Sequence, residues 1–197
     1  VESPDLTAEQ IKMLEASNLT GTLRSIANDP KASELNRVVA ARLAAMLDAT
    51  DVVIEDKLFD SEGKEVLGEA ISTQIQLSRN GGLSQEVLLH EATHAAVERV
   101  IQMPDRMLTK EQIIAKRELT AMYNAIKNDP KITSANAKSS LSEFAAEIFS
   151  NRNLQEQLRN KKWKGSSLWE GLKSVILRML GVKIPENMLG NALKAVD

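Results

Sequence analysis

The sequence predicts an α+β protein, mostly helical, with a small sheet of two to three strands and a central helix that carries His-Glu-X-X-His. Three observations lead there. Apolar residues recur at helical spacing along most of the chain. Two short stretches, Val52–Ile54 and Ile71–Ser78, break that rhythm with β-branched or alternating residues. Aromatics are few, one Tyr, two Trp and three Phe, so the core must come from Ala, Leu, Ile, Val and Met, which suits packed helices.

Thr7-Ala-Glu-Gln10 fits a capping box that opens a short amphipathic helix. Asp29-Pro30 offers an N-cap and first-turn pair for a longer one, with Leu35, Val38, Val39, Ala41, Leu43, Ala44 and Leu47 as its apolar stripe. Val52-Val53-Ile54 reads as a strand, and Ser61-Glu62-Gly63-Lys64 as a turn. From Ile71 to Ser78, Ile71, Thr73, Ile75 and Leu77 alternate with Ser72, Gln74 and Gln76, the pattern of one half-buried strand that Asn80-Gly81-Gly82 ends. Everything afterwards reads helical. The helices expected run from about Ser84 to Gln102, from the capping box Thr109–Gln112 to before Asp129-Pro130, from Ser140 to about Ser150, and from Ser167 to Gly181. Three regions follow: N-terminal helices over 1–34, a core over 35–155 and a C-terminal helical appendage over 156–197. The appendage carries Leu168, Trp169, Leu172, Val175, Ile176, Met179 and Leu180 at helical spacing and is expected to pack on the core.

Composition narrows the function classes. With 197 residues and a net charge of −2, the chain has a real core and no strong pull toward nucleic acid or anionic membranes. The basic run Arg159–Lys164 reads as a solvated segment between two helices. The absence of Cys excludes disulfides, thiolate metal sites and cysteine catalysis. No apolar run is long enough to span a membrane and no signal peptide is visible. The opening Val1-Glu2-Ser3-Pro4, without Met, reads as the start of an excised or processed domain, so neighbouring domains of a larger polyprotein are expected.

The chemistry is concentrated in His90-Glu91-Ala92-Thr93-His94. On a helix, residues i and i+4 share a face about 5–6 Å apart at Cβ, so both imidazoles reach one metal ion. Glu91 is offset by about 100° from His90 and flanks the metal, placed to take a proton from a water in the fourth position. Zinc would lower the pKa of that water toward about 7. These are the only two His in the chain. At random they would fall four apart in roughly one case in a hundred, with Glu next to the first in roughly a tenth of those. Apolar neighbours, Val87-Leu88-Leu89 and Ala95-Ala96-Val97, place the motif in the domain interior, where unpartnered imidazoles cost roughly 2–7 kcal/mol.

A catalytic zinc needs a third protein ligand, and with no further His or Cys it must be an acid. Ser142-Glu143-Phe-Ala-Ala-Glu147-Ile-Phe-Ser150 is an apolar helix with two acids at i and i+4. Glu143 is the expected ligand. Glu147, one turn on, would accept from the far ring nitrogen of a ligand His. Two other assignments stay open: Glu143 as only the N3 acid of a capping box with Ser140, and Glu147 as the ligand.

His-Glu-X-X-His on a helix, followed by a Glu on a later helix, resembles the zincin metallopeptidases of the glutamate-ligand branch, whose site is of thermolysin type. That branch carries Glu-X-X-X-Asp downstream. Glu143 to Glu147 keeps the spacing but has Glu where Asp is usual, and Glu143 lies farther from His94 than in thermolysin-type chains. The resemblance implies that Ile71–Ser78, with Gln74, Ile75 and Gln76 at its centre, is the edge strand that pairs with an extended peptide substrate. It also implies a donor to the tetrahedral oxyanion, for which Tyr123, the only Tyr, with Arg117 nearby, is the candidate. Over about residues 35–155 the order of elements also looks like that of metallopeptidase domains within large phage and prophage polyproteins.

The expectation is therefore a zinc peptidase, an endopeptidase or self-processing protease acting on protein or peptide, with Glu91 as general base and acid. A catalytically silent zincin-like module of a phage or toxin assembly is the alternative. Hydrolysis of a peptidoglycan or other amide is a third reading. Nucleic acid and membrane are not expected partners. The resemblance is compatible with a virion or a host cytoplasm.

Overall fold

The structure, a computed structural model, describes residues 5–182 apart from 33, 61 and 72. Val1–Pro4, Ser61, Ser72, residues 183–197 and the side chains of Leu35, Ile71, Ala146, Phe149 and Ser150, all used in the expectations above, lie outside that set. The chain is α+β: nine α-helices and one three-stranded sheet among the described residues, with two small hairpins. It divides into two compact units, 1–96 and 97–197, and the division falls inside one helix rather than near 34 or 155.

In the first unit, Thr7 caps α1 (Ala8–Glu15) with both bonds of its box, and Asn18 caps α2 (Leu19–Ala27). α3 (Glu34–Met46) starts four residues beyond the expected Pro30. Asp29 does cap, but a turn: its carboxylate accepts from Lys31 N and its carbonyl from Ala32 N. α3 buries Ala40, Leu43 and Ala44, and Leu47 follows them, whereas Val38 and Ala41 of the expected stripe face solvent. α2 packs on α1 and α3, and Leu14, Leu19, Leu23, Ile26 and Leu43 fill the interior.

The strands are β1 (Asp51–Glu55), the hairpin pair β2 (Leu58–Phe59) and β3 (Glu65–Val66), then β4 (Gly68–Ile71) and β5 (Gln74–Ser78). Between β2 and β3 the Asp60 carboxylate accepts from Glu62 N and Lys64 N, the turn expected there. The alternating stretch 71–78 is not one strand. Ile71 pairs with Gln74, and the chain reverses between them into an antiparallel hairpin. The sheet order is β1-β5-β4, with β1 and β5 parallel. Gln74, Ile75 and Gln76 therefore lie on the central strand, hydrogen-bonded on both sides, and cannot be the edge strand expected of them. One face of the sheet carries Val52, Ile75 and Leu77, all buried; the other carries Asp51, Gln74 and Gln76 and is polar.

The two edges of this sheet differ. On β1, Asp51 and Glu55 bond toward β5, so Val52 turns its N–H and C=O outward, and the Ser17 hydroxyl meets both, at 3.3 and 3.2 Å. Ser17 adopts φ 56 to do so. On β4, Ser78 N donates to Leu67 O, which makes 67, 69 and 71 the residues bonded to β5 and turns the N–H and C=O of Gly68 and Ala70 to the open edge.

After β5, Gly82 folds back onto the strand. A Cβ there would stand 2.2 Å from Leu67 O and 2.5 Å from Ser78 O, both backbone atoms that no rotamer change can move. Gly82→Ala is expected to destabilise the protein by about 1–3 kcal/mol or more, read from the midpoint of urea unfolding.

α4 (Gln85–Gln102) follows. In the second unit, Thr109 caps α5 (Lys110–Lys127) with a full box, Ser134 caps α6 (Ala135–Ser139), Ser140 caps α7 (Leu141–Ser150) and Asn151 caps α8 (Arg152–Arg159). The basic run is built rather than loose: β6 (Lys162–Trp163) and β7 (Ser166–Ser167) form a hairpin through Lys164 and Gly165, both at positive φ, and Lys161 is ion-paired with Asp129. α9 (Leu168–Met179) opens at the expected Ser167, which caps it with a full box, and buries the expected stripe. It packs on α5 and α8, with Arg178 bonded to Glu118 at 2.6 Å. Among the described residues, no helix is long and apolar enough to cross a membrane.

Candidate metal centre

α4 opens where Ser84 Oγ accepts from Val87 N, one of the N–H groups its first turn would leave unpaired. Its interior side is apolar: Leu88, Leu89, Ala92, Ala95 and Ala96 are all buried. Val87, His90, Glu91 and His94, at i, i+3, i+4 and i+7, share the neighbouring face. The helical register expected from the motif is thus present, with both imidazoles half-buried on successive turns.

Electrostatics sets the three groups apart. Burial, helped by the charge of nearby His94, drives the His90 pKa down to about 4, so at neutral pH its ring is an uncharged nitrogen donor. Glu91 is 8% exposed, and burial pushes its carboxyl up to about 7, with the charge of Glu69 on β4 adding to the rise. A carboxyl poised near neutrality beside two imidazoles suits proton transfer.

β4 is what Glu91 packs against. A Cβ on Gly68 would lie 2.7 Å from Glu91 Cγ, 3.1 Å from Glu91 Oε1 and 3.1 Å from Val87 Cγ1. The open-edged strand and the Glu of the motif are therefore in contact within the first unit. Gly68, Glu69 and Ala70 were missed in the sequence. The available signal was a glycine inside a strand, which marks a close approach by another group.

The other expected residues lie in the second unit. Glu143 is exposed on the first turn of α7. Ser140 Oγ accepts from Glu143 N at 3.1 Å, but the reciprocal carboxylate bond found in the boxes at Thr7, Thr109 and Ser167 is not formed, so its carboxylate is not consumed by the cap. Glu147 Oε2 accepts from Ser134 Oγ at 2.9 Å and Asn151 Nδ2 at 2.6 Å, clipping α7 to the starts of α6 and α8. Tyr123 is buried, its ring 6.1 Å from that of Phe144, and its hydroxyl donates to Lys138 O at 2.9 Å. That bond engages the one proton of the phenol with a backbone carbonyl. Arg117 is exposed and faces Asp105 at 3.6 Å.

The residues can be weighed against zinc. A neutral His90 and its i+4 partner His94 match zinc's preference for imidazole nitrogen and could supply two ligands. Among the described residues no three His, Asp or Glu side chains gather as a metal site. Comparison with known protein families, with curated proteins and with solved structures found no match to this chain.

The two pKa shifts have opposite consequences for stability in metal-free protein. Glu91 has a folded pKa of about 7 against 4.5 unfolded, so the folded state holds the extra proton and stability falls as pH rises through that window. His90 has a folded pKa of about 4 against 6.5 unfolded, so stability falls as pH drops from 6.5 to 4. Glu91→Gln removes only the first penalty. In chelator at pH 8 the variant is expected to exceed wild type by up to about 3 kcal/mol in urea unfolding, the gap closing toward pH 4.5.

Proposed function

We propose that this chain is a zinc-dependent peptidase of zincin type in which Glu91 is the general base and acid. The observation that carries the reading is the single face of α4 on which a neutral His90, His94 and a buried, near-neutral Glu91 stand together, packed against an open-edged strand.

His90 and His94 would hold the metal, with Glu143 as the third ligand and Glu147 as its rival. Zinc, when bound, supplies Lewis acidity that makes a water acidic near neutral pH and polarises a carbonyl. The chain's own residues do the rest. An extended peptide adds to β4 through the outward N–H and C=O of Gly68 and Ala70, which fixes its backbone beside Glu91. With a cation held by His90 and His94, the Glu91 carboxyl would titrate below about 7 and stand as a carboxylate able to take a proton from a water. Glu91 then hands that proton to the leaving amine. The buried side of α4 keeps bulk water from the carboxyl, so the proton is not lost between the two steps.

A silent zincin-like module of a phage or toxin assembly is the second reading, favoured by the lack of a three-ligand cluster among the described residues. Against it stands the cost of keeping a carboxyl as buried as Glu91 when no chemistry uses it. The deciding experiment measures zinc per purified chain and cleavage of unfolded casein, with peptidoglycan fragments in parallel. About one zinc per chain and chelator-sensitive casein cleavage support the peptidase. Zinc with cleavage of the peptidoglycan amide alone moves the substrate class. A chain that binds no zinc when supplied with it, or binds it and cleaves nothing, sinks the peptidase reading and leaves the silent module.

A further inference from the structure

A glycine inside a strand is there for its backbone freedom or for its missing side chain. Gly68 does not need the first: it is absent from the positive-φ residues of the chain. It does need the second. The space that a Cβ would fill is held chiefly by Glu91, whose Cγ would be only 2.7 Å away and whose Oε1 3.1 Å away, with Val87 Cγ1 also at 3.1 Å. Glu91 has no easy retreat, because it is buried and its helix neighbours Ala92 and Ala95 are closed into the interior.

We propose that Gly68 is a positioning residue for Glu91: its bare Cα is the seat against which the carboxylate arm rests, and it sets the distance of that carboxylate from His90 and His94. The inference rests on the reading of Glu91 as the base. The proton-transfer group and the peptide-binding edge then share one contact, so a peptide lined up on β4 has its backbone registered to the carboxylate that serves it. Glu69, next along β4, is set by the same contact at a distance from which its charge is felt at Glu91. A side chain at 68 would move the carboxylate by about the missing space, and misplacements of that size cost catalysis by up to about 100-fold.

The test is Gly68→Ala, read three ways. Zinc content is expected to stay near one per chain, since no ligand is touched. On casein-derived peptide kcat should fall about 10- to 100-fold with KM within about two-fold, because the added methyl points at Glu91 and not along the open edge. A variant that damaged only the peptide edge would raise KM instead, and wild-type kinetics would overturn the proposal outright. The third reading needs no activity: thermal unfolding of the metal-free protein, with Gly68→Ala made in wild type and in Glu91→Ala. A glycine with ordinary backbone angles normally gains stability on becoming Ala. The change should lower Tm by about 5 °C in wild type and by much less in Glu91→Ala, where only the 3.1 Å approach to Val87 Cγ1 is left. The same drop in both backgrounds would show that Gly68 does not seat Glu91. If wild type cleaves nothing while the Tm cycle couples as expected, the contact stands and the peptidase reading is what fails.

Discussion

Glu91→Gln is expected to cut casein cleavage by about 10²–10⁴-fold while leaving near one zinc per chain. The substitution keeps the shape of the side chain and so keeps its place against Gly68. It removes a carboxyl that burial holds near neutral pH. Gln can still donate and accept hydrogen bonds, so a role in orienting water would survive in part, whereas a role in moving a proton would not. The pH profile separates the two. Wild-type kcat/KM should rise on a limb set by Glu91, displaced below about 7 once a cation lies between the imidazoles, and the residual activity of the variant should lack that limb. Zinc lost along with activity would make Glu91 a ligand or a structural acid. Activity retained would move the base elsewhere.

What the sequence disclosed and what it hid divide along the range of the interactions involved. The boxes at Thr7 and Thr109 were legible because both bonds close within four residues. The α4 register was legible because an i, i+4 pair means the same thing in any helix. Asp29 misled because a side chain accepting from the N–H two residues on is the same local chemistry in a turn as in a cap. The β4–β5 hairpin was hidden for a different reason. Period-two alternation runs straight through residues 71–78, and Ser72-Thr73 offers no Gly, Pro or Asn to mark a reversal, so one long strand and a tight hairpin read alike. That error displaced the open edge from Gln74–Gln76 to Gly68–Ile71. Of the candidate site, the two His and Glu91 could be named from spacing. The seat of Glu91 on Gly68 joins residues 23 apart in sequence, and the bond of Tyr123 to Lys138 joins α5 to α6; neither has a local signature.

The third ligand yields the other large effect. Glu143→Ala is expected to weaken zinc binding by well over about 100-fold and to leave stability almost unchanged, while Glu147→Ala is expected to cost stability and to weaken zinc less. The asymmetry follows from where the two carboxylates stand on α7. Glu143 is exposed, and its cap bond is made by its backbone N–H, which Ala retains. Removing its side chain takes nothing from the second unit, so the cost should stay within about 0.5 kcal/mol. Glu147 Oε2 holds Ser134 and Asn151, which cap α6 and α8, so Ala there frees two helix starts and should cost about 1–3 kcal/mol. Zinc would then fall by no more than about 10- to 100-fold, the usual effect of a residue that acts on a ligand rather than as one. Calorimetric zinc titration and urea unfolding of the two variants read both quantities. Were Glu147→Ala to lose the metal and Glu143→Ala to keep it, the ligand would be one turn farther along α7 and the cap contacts of Glu147 would have to break on metal binding. Were both to keep it, α7 would supply no ligand, and the imidazole pair of α4 would need its third partner from an acid of another element, Glu69 being the one whose charge already reaches Glu91.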